Sequence, residues 1–224
     1  GGELTVAVTG AAAKVTVDGA TAAFAAPVRL PAGAVLTVGP AKGGVRGYLA
    51  VGGGIAVPPV LGSRSTDTLS GLGPPVVRDG DRLPVGDPPP RGSGPDLRPA
   101  EGAGSVPPEK SIVELRVRLG PRADWFTPEA VATMLRAEYV LSPTSNRVGA
   151  RLTGPALERA VDGELPSEGV VLGAVQVPAN GQPLIFLADH PTTGGYPVIA
   201  VVDADDLPLV AQTRPGTTVR FRPA

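Results

Sequence analysis

The stretch Val170-Val171-Leu172-Gly173-Ala174-Val175-Gln176-Val177-Pro178-Ala179-Asn180-Gly181-Gln182-Pro183-Leu184-Ile185-Phe186-Leu187-Ala188-Asp189 sets Asn-Gly between two apolar runs. Asn-Gly is a strong hairpin signal, because both central residues of a two-residue type I′ loop take positive φ. With those two as the loop, Ala179 pairs with Gln182. Pro178 then faces Pro183 at a non-hydrogen-bonded pair, where neither N–H is needed. Gln176 opposes Ile185 and Leu172 opposes Asp189, so Leu172, Ala174, Gln176, Ile185, Leu187 and Asp189 share one face. Both faces are largely apolar, which predicts a central hairpin in a β fold. Gln176 and Asp189 are polar exceptions on their face and need partners, structural or catalytic.

Short strands extend outward on both sides. Leu4, Val6 and Val8 alternate with small or polar residues, Val15 and Val17 precede an Asp18-Gly19 turn, and Val35–Val38 and Tyr48–Val51 follow. A turn ending in Gly and followed by an alternating strand recurs at Leu30–Gly33, Val77–Gly80 and Thr213–Gly216. Copies in both halves make related barrels plausible, although such a short pattern also arises independently. One longer helix is predicted, with Thr127 as cap, Pro128 at the first position, and an end near Arg136. A second, shorter helix follows Asp205-Asp206, which read as caps. The proline-dense run Pro88–Pro108 reads as a linker or long loop. The reading therefore expects a first β domain over 1–90, a linker over 91–109, and a second β domain over 110–224. The opening Gly1-Gly2-Glu3-Leu4 lacks a Met and leads straight toward a strand, so a preceding segment is expected to be missing.

Composition narrows the chemistry. The 224 residues include 31 Gly and 27 Pro, as many short strands and tight turns require, and 42% are hydrophobic, enough for a core. With no Cys and one His, thiol nucleophiles, disulfides and Cys- or multi-His-ligated metals are excluded. A net charge of −1 gives no electrostatic case for nucleic acid. No apolar run approaches the roughly 20 residues of a membrane helix. The 17 Arg against 3 Lys fit carboxylate or phosphate partners, or simply a GC-rich genome. Neither a G-x-S-x-G elbow nor a G-x-x-x-x-G-K-[ST] loop is present. Asp203, Asp205 and Asp206 could hold Mg²⁺ but read better as helix caps, so no metal site is assigned.

Three polar clusters punctuate the strands. Gly62-Ser63-Arg64-Ser65-Thr66-Asp67 could cradle a carboxylate or phosphate with Arg64 as the fork, or be a turn whose hydroxyls satisfy its own backbone. Ser142–Arg151 turns at Ser145-Asn146 and sends Arg147 and Arg151 out on the same side, toward an anionic substrate or solvent. Asp189-His190-Pro191-Thr192-Thr193-Gly194-Gly195-Tyr196-Pro197 exposes hydroxyls and backbone N–H groups in a loop that can bind an oxyanion or phosphate. Any His-based proton transfer must use His190, which otherwise reads as a turn residue. None of these clusters is a complete active site, which points to one shared with another chain.

Taken in order, the clusters resemble the allophanate hydrolase subunit 2 family, also called the 5-oxoprolinase C component or KipA-like. The resemblance rests on Arg46–Ile55 with Val60–Asp67, on Ser145–Gly149 with Arg151-Leu152, and on Gly173–Pro178, Gly181–Pro183 and Ala188–Pro197. The Gln-Asp-Leu-Gly-Arg segment near the start of most members is absent, and His190 stands where the family often has another residue. The resemblance implies a mainly β chain of two cyclophilin-like β-barrels with one or two short helices. It implies a cytoplasmic, non-autonomous subunit that works with the 5-oxoprolinase B component (allophanate hydrolase subunit 1) and the A component. Together these would open 5-oxoproline to glutamate at the expense of ATP, with Mg²⁺, at a site shared with a partner. Asp189, Gln176 and Thr193 would act on the reacting group. Arg64, Ser65, Asp67, Ser145, Arg147, Arg151, Thr192, Gly194, Gly195 and Tyr196 would bind substrate or phosphate. The alternatives are the acceptor module of a biotin-dependent, urea carboxylase-like carboxyltransferase, with biotin as cofactor, and a KipA-type regulatory binding protein.

Overall fold

The computed structural model describes residues 2–87 and 112–224, so the linker expected over 91–109 lies outside the described residues. The described residues divide into two units, one built from 2–42 and 47–87, the other from 43–46 and 112–224. Residues 43–46, which the sequence reading leaves in the first segment, pack with the second unit.

In the first unit six strands form two three-stranded sheets: β1 (Leu4–Gly10), β2 (Val15–Val17), β3 (Ala20–Thr21), β4 (Val28–Leu30), β5 (Leu36–Val38) and β6 (Gly47–Val51). One sheet runs β4-β1-β6 and the other β3-β2-β5. Val6, Val8 and Val15 are buried, as the alternation predicts. The resemblance implies a barrel here as well, but the described strands make two sheets and no ring. Among the described strands β6 has a partner along one side only, and Tyr48 and Leu49 are exposed.

The second unit holds β7 (Val113–Leu119), β8 (Glu138–Leu141), β9 (Gly149–Thr153), β10 (Glu168–Gly169), β11 (Ala174–Gln176), β12 (Leu184–Phe186), β13 (Thr193–Gly194), β14 (Val198–Val202) and β15 (Thr218–Pro223). Seven of these close into a barrel in the order β11-β12-β9-β8-β15-β7-β14. All its pairings are antiparallel except β15 with β7. Closure leaves no strand edge exposed. Period-2 alternation in β7 and β15 turns Leu115, Val219 and Phe221 inward to meet Val175, Ile185 and Ile199, and all six are fully buried. Helix α1 (Pro128–Arg136) packs on β15 through Ala130 and Met134, and the Thr127 hydroxyl accepts from Ala130 N at 3.1 Å. Both its cap and its end match the sequence reading. A 3₁₀ turn over Ala204–Asp206, capped by Asp203 whose Oδ1 accepts from Asp205 N, leads into α2 (Leu207–Gln212); Asp206 holds the N-cap position of α2 but its side chain makes no capping hydrogen bond there. Asp206 instead continues the β7 ladder where β14 departs. It accepts from Arg116 N at 2.7 Å, Nε at 3.0 Å and Nη2 at 2.8 Å.

The central hairpin exists, but its register is one residue away from the expected one. Val175 pairs with Ile185 and Gln176 with Leu184. Gly181 has φ of +71° whereas Asn180 does not reach positive φ, which excludes a type I′ loop. Gly181 N donates to Pro178 O, and Asn180 Oδ1 accepts from Gln182 N, giving a three-residue loop of Ala179, Asn180 and Gly181. A one-residue slip changes which side chains share a face. Val175, Val177, Ile185 and Leu187 face the barrel interior. Ala174 and Phe186 pack in a second cluster with Val170 and Val198. Gln176 opposes Leu184 and belongs with that second face.

Two of the three repeated turns, with Gly33 at φ +80° and Gly216 at +85°, lead into strands β5 and β15. Among the described residues directly after Gly80, up to position 87, Val85 forms an isolated bridge to Ile55 and no strand. No helix among the described residues is long and apolar enough to cross a membrane.

Candidate functional site

At one end of the barrel the loops leaving β8, β12 and α2 gather most of the polar residues of interest. The Ser145-Asn146 turn is held by its own side chains. Ser145 Oγ accepts from Arg151 N at 3.0 Å, and Asn146 Oδ1 accepts from Val148 N and Gly149 N. That turn delivers Arg147 to Asp189. Arg147 Nε donates to Asp189 Oδ2 at 2.6 Å, and Asp189 N donates to Arg147 O at 3.2 Å. Both side chains are about 40% exposed, so the pair lies where a ligand or a partner chain can reach it. Arg151 is exposed, and its guanidinium makes no hydrogen bond or ion pair to another described residue.

The Thr-Thr-Gly-Gly segment is not the backbone nest that its sequence permits. Thr193–Gly194 pairs as β13 with Glu168–Gly169, and neither Gly194 nor Gly195 has positive φ. Its main-chain groups are partly taken up by the ladder. Gln176, 3% exposed, donates from Nε2 to Tyr196 O at 2.8 Å and thereby ties this segment to the barrel wall. It does not share a face with Asp189, as the expected register would have required. Gln176 is a brace under the loop. His190 Nδ1 lies 2.7 Å from Pro191 O, and the ring sits 5.8 Å from Phe186.

In the first unit, Arg64 Nε donates to Val57 O at 2.8 Å, and Asp67 accepts from Leu69 N and the Ser70 hydroxyl. Ser65 N donates to Ser63 Oγ and Thr66 Oγ1 to Pro74 O. Of the two sequence readings of this cluster, the geometry matches the turn that satisfies its own polar groups. Arg64, Ser65 and Asp67 thus lie in one unit and the other candidates in the second.

Two residues escaped the sequence reading. Arg46 donates to Ala211 O and, at 2.9 Å, to Asn146 O. Gln212 clamps its main chain, with Oε1 accepting from Val45 N and Arg46 N and Nε2 donating to Arg46 O. Beside Arg46 opens a cavity of about 240 Å³ that also reaches Ser145. Arg46 heads the first block of the family resemblance, the one signal that could have singled it out. Among the described residues no group of three His, Cys, Asp or Glu is arranged to hold a metal ion.

The carboxyltransferase domain family, subdomains A and B, matches residues 1–223. The chain belongs to this family. Among its relatives, a protein named as the C component of 5-oxoprolinase, from Escherichia coli (strain K12), is 41% identical over 201 residues, covering 86% of this chain and 61% of the relative. A protein of the same name from Haemophilus influenzae is 37% identical over 192 residues, covering 85% and 60%. A urea amidolyase from Saccharomyces cerevisiae is 31% identical over 240 residues, covering 99% of this chain and 13% of the relative. The crystal structure of a Kluyveromyces lactis urea carboxylase superposes with a TM-score of 0.80 at 30% identity, covering 99% of this chain and 21% of that one. The chain therefore spans about three fifths of the length of the 5-oxoprolinase relatives. In this carboxyltransferase-family chain, the residues that the structure joins at the barrel end are Ser145, Arg147, Arg151 and Asp189, with Arg46 and Gln212 added.

Proposed function

We propose that this chain is the C component of a 5-oxoprolinase-type enzyme, opening the lactam of 5-oxoproline to glutamate with ATP, together with the A and B components. The observation that carries this reading is the 41% identity to a protein named as that component of 5-oxoprolinase, against 31% and 34% to two urea amidolyases. The geometry supports a role in a shared site. Arg147 and Asp189 form a half-exposed pair next to a turn held by its own side chains, and Arg151, whose main chain donates to Ser145 in that turn, carries an uncompensated charge. These residues would orient an anionic, amide-containing substrate: Arg147 and Arg151 neutralise carboxylate or phosphate charge, while Asp189 holds Arg147 in place. Thr192, Thr193 and Tyr196 would line the approach, braced by Gln176. Because Thr193–Gly194 is a strand, we assign the phosphate cradle for ATP and Mg²⁺ to the partner side of the site.

The test is reconstitution with the co-expressed A and B components, following ATP hydrolysis and glutamate formation with and without 5-oxoproline. Lactam-stimulated ATPase is expected, and Arg147→Ala or Thr193→Ala should lower turnover by about tenfold or more while the complex still assembles. No lactam stimulation in the assembled complex would overturn the reading. The alignment over 99% of this chain with the Kluyveromyces lactis urea carboxylase favours a second reading, an acceptor module that takes CO₂ from carboxybiotin. Carboxylation of urea by a reconstituted biotin-bearing partner, without lactam-dependent ATPase, would establish that reading instead.

A further inference from the structure

Arg46 stands at the wall of the 240 Å³ cavity with its charge unmatched. Two carbonyls, of Ala211 and Asn146, hold the guanidinium, and among the described residues no carboxylate lies within ion-pair distance of it. A guanidinium has five N–H donors, so most of its donor capacity is unused. The rest of the wall is mostly apolar, with Leu141, Ala150, Leu187 and Val210, while Ser145 and Thr213 add hydroxyls and the Thr213 one is already donated to Leu209 O. Gln212 fixes the Arg46 main chain through two hydrogen bonds and the Val45 N–H through a third, so the group is preorganised. A planar, fixed cation in an apolar pocket below the ~300–1,000 Å³ of drug-sized sites matches a small carboxylate with a compact apolar body.

We propose that this cavity is a carboxylate subsite in which Arg46 pairs with the acid group of a small cyclic substrate while Leu141, Leu187 and Val210 cover its ring. The choice of 5-oxoproline as ligand rests on the proposed function; the subsite itself rests on Arg46 and the cavity. Binding of 5-oxoproline, its carboxamide and 2-pyrrolidinone to the full chain is measured by ligand-observed NMR titration. 5-Oxoproline should bind about tenfold or more tightly than either neutral lactam, the loss expected for one charge-assisted pair. Arg46→Lys should weaken binding to a similar degree. Val45→Trp, at a half-exposed position on the cavity wall, should abolish it without lowering the melting temperature, which separates occlusion from misfolding. Equal affinity for acid and amide, or wild-type binding by Val45→Trp, overturns the subsite. The two proposals fail separately. A reconstituted complex that opens 5-oxoproline with unchanged KM in Arg46→Lys removes the subsite and keeps the function. Arg46-dependent binding in a complex without lactam-stimulated ATPase keeps the subsite and removes the function.

Discussion

Replacing Gly194 by Ala tests whether Gln176 is the brace on which the 193–196 segment rests. A Cβ on Gly194 would lie 2.6 Å from Gln176 Nε2, inside any real Cβ contact. Gln176 is 3% exposed and uses that nitrogen to donate to Tyr196 O, so the amide has to leave its acceptor to make room. A buried donor and acceptor parted in this way cost about 1–3 kcal/mol. The neighbouring Gly195 supplies the control, since its Cβ would meet only Leu165 O at 3.4 Å and the Ser167 hydroxyl at 3.8 Å. Neither glycine has positive φ, so both variants gain the same ~0.4–1 kcal/mol from a less flexible unfolded chain. The difference between them therefore isolates the clash. For a unit of this size, about 2 kcal/mol lowers the melting temperature by roughly 5–10 °C, read by circular dichroism. In a Gln176→Ala background the same Gly194→Ala change should have almost no further effect, because the group it strikes is gone. Equal melting of the two glycine variants, or a full Gly194→Ala penalty without the Gln176 amide, would refute the brace.

Two further outcomes are expected elsewhere in the barrel. The Arg116 guanidinium holds the Asp206 carboxyl below the usual carboxylate range, chiefly by its hydrogen bond. The stability this contributes is therefore present above the unfolded carboxylate pKa of about 4 and lost as pH falls through the lower folded value. Asp206→Asn should flatten the acid limb of a stability–pH profile below about pH 4, and an unchanged limb would show that Asp206 has no part in it. The Tyr139 hydroxyl is buried without a hydrogen-bond partner among the described residues, and burial pushes its pKa up to about 12. Tyr139→Phe should accordingly raise stability by about 1 kcal/mol in urea titration, since it removes a desolvated hydroxyl and keeps the ring. A loss of that size would mean the hydroxyl has a partner.

Local chemistry made much of this fold legible. Thr127, Pro128 and the apolar spacing of Ala130 and Met134 sufficed for α1, because a helix start depends on groups only a turn apart. Alternation in Leu4–Val8 and Thr218–Phe221 gave strands for the same reason. The Asn180-Gly181 pair led to a register error of one residue, since Asn-Gly suits both a two-residue loop with both residues at positive φ and a three-residue loop in which only Gly181 is left-handed. The turn alone did not settle which of them forms. β11 is pinned on both sides, by β12 and β14, and the register that buries Val175 and Val177 prevails. Asp206 looked like a cap because sequence shows only its neighbours in the chain, whereas its partner Arg116 lies 90 residues away.

The candidate site divides along the same line. Residue order alone determined where the polar clusters lie and which family they resemble, because a motif is local and survives without coordinates. Only the tertiary structure decided that Arg147 meets Asp189 and that Thr193–Gly194 is a strand. It also placed Arg46 beside Asn146, Ala211 and Gln212. The physical reason is that a closed barrel brings together loop ends 42 residues apart, as at Arg147 and Asp189, and the segment that holds Arg46 docks on Gln212, 166 residues away; neither ring closure nor such docking leaves a trace in any single stretch of sequence.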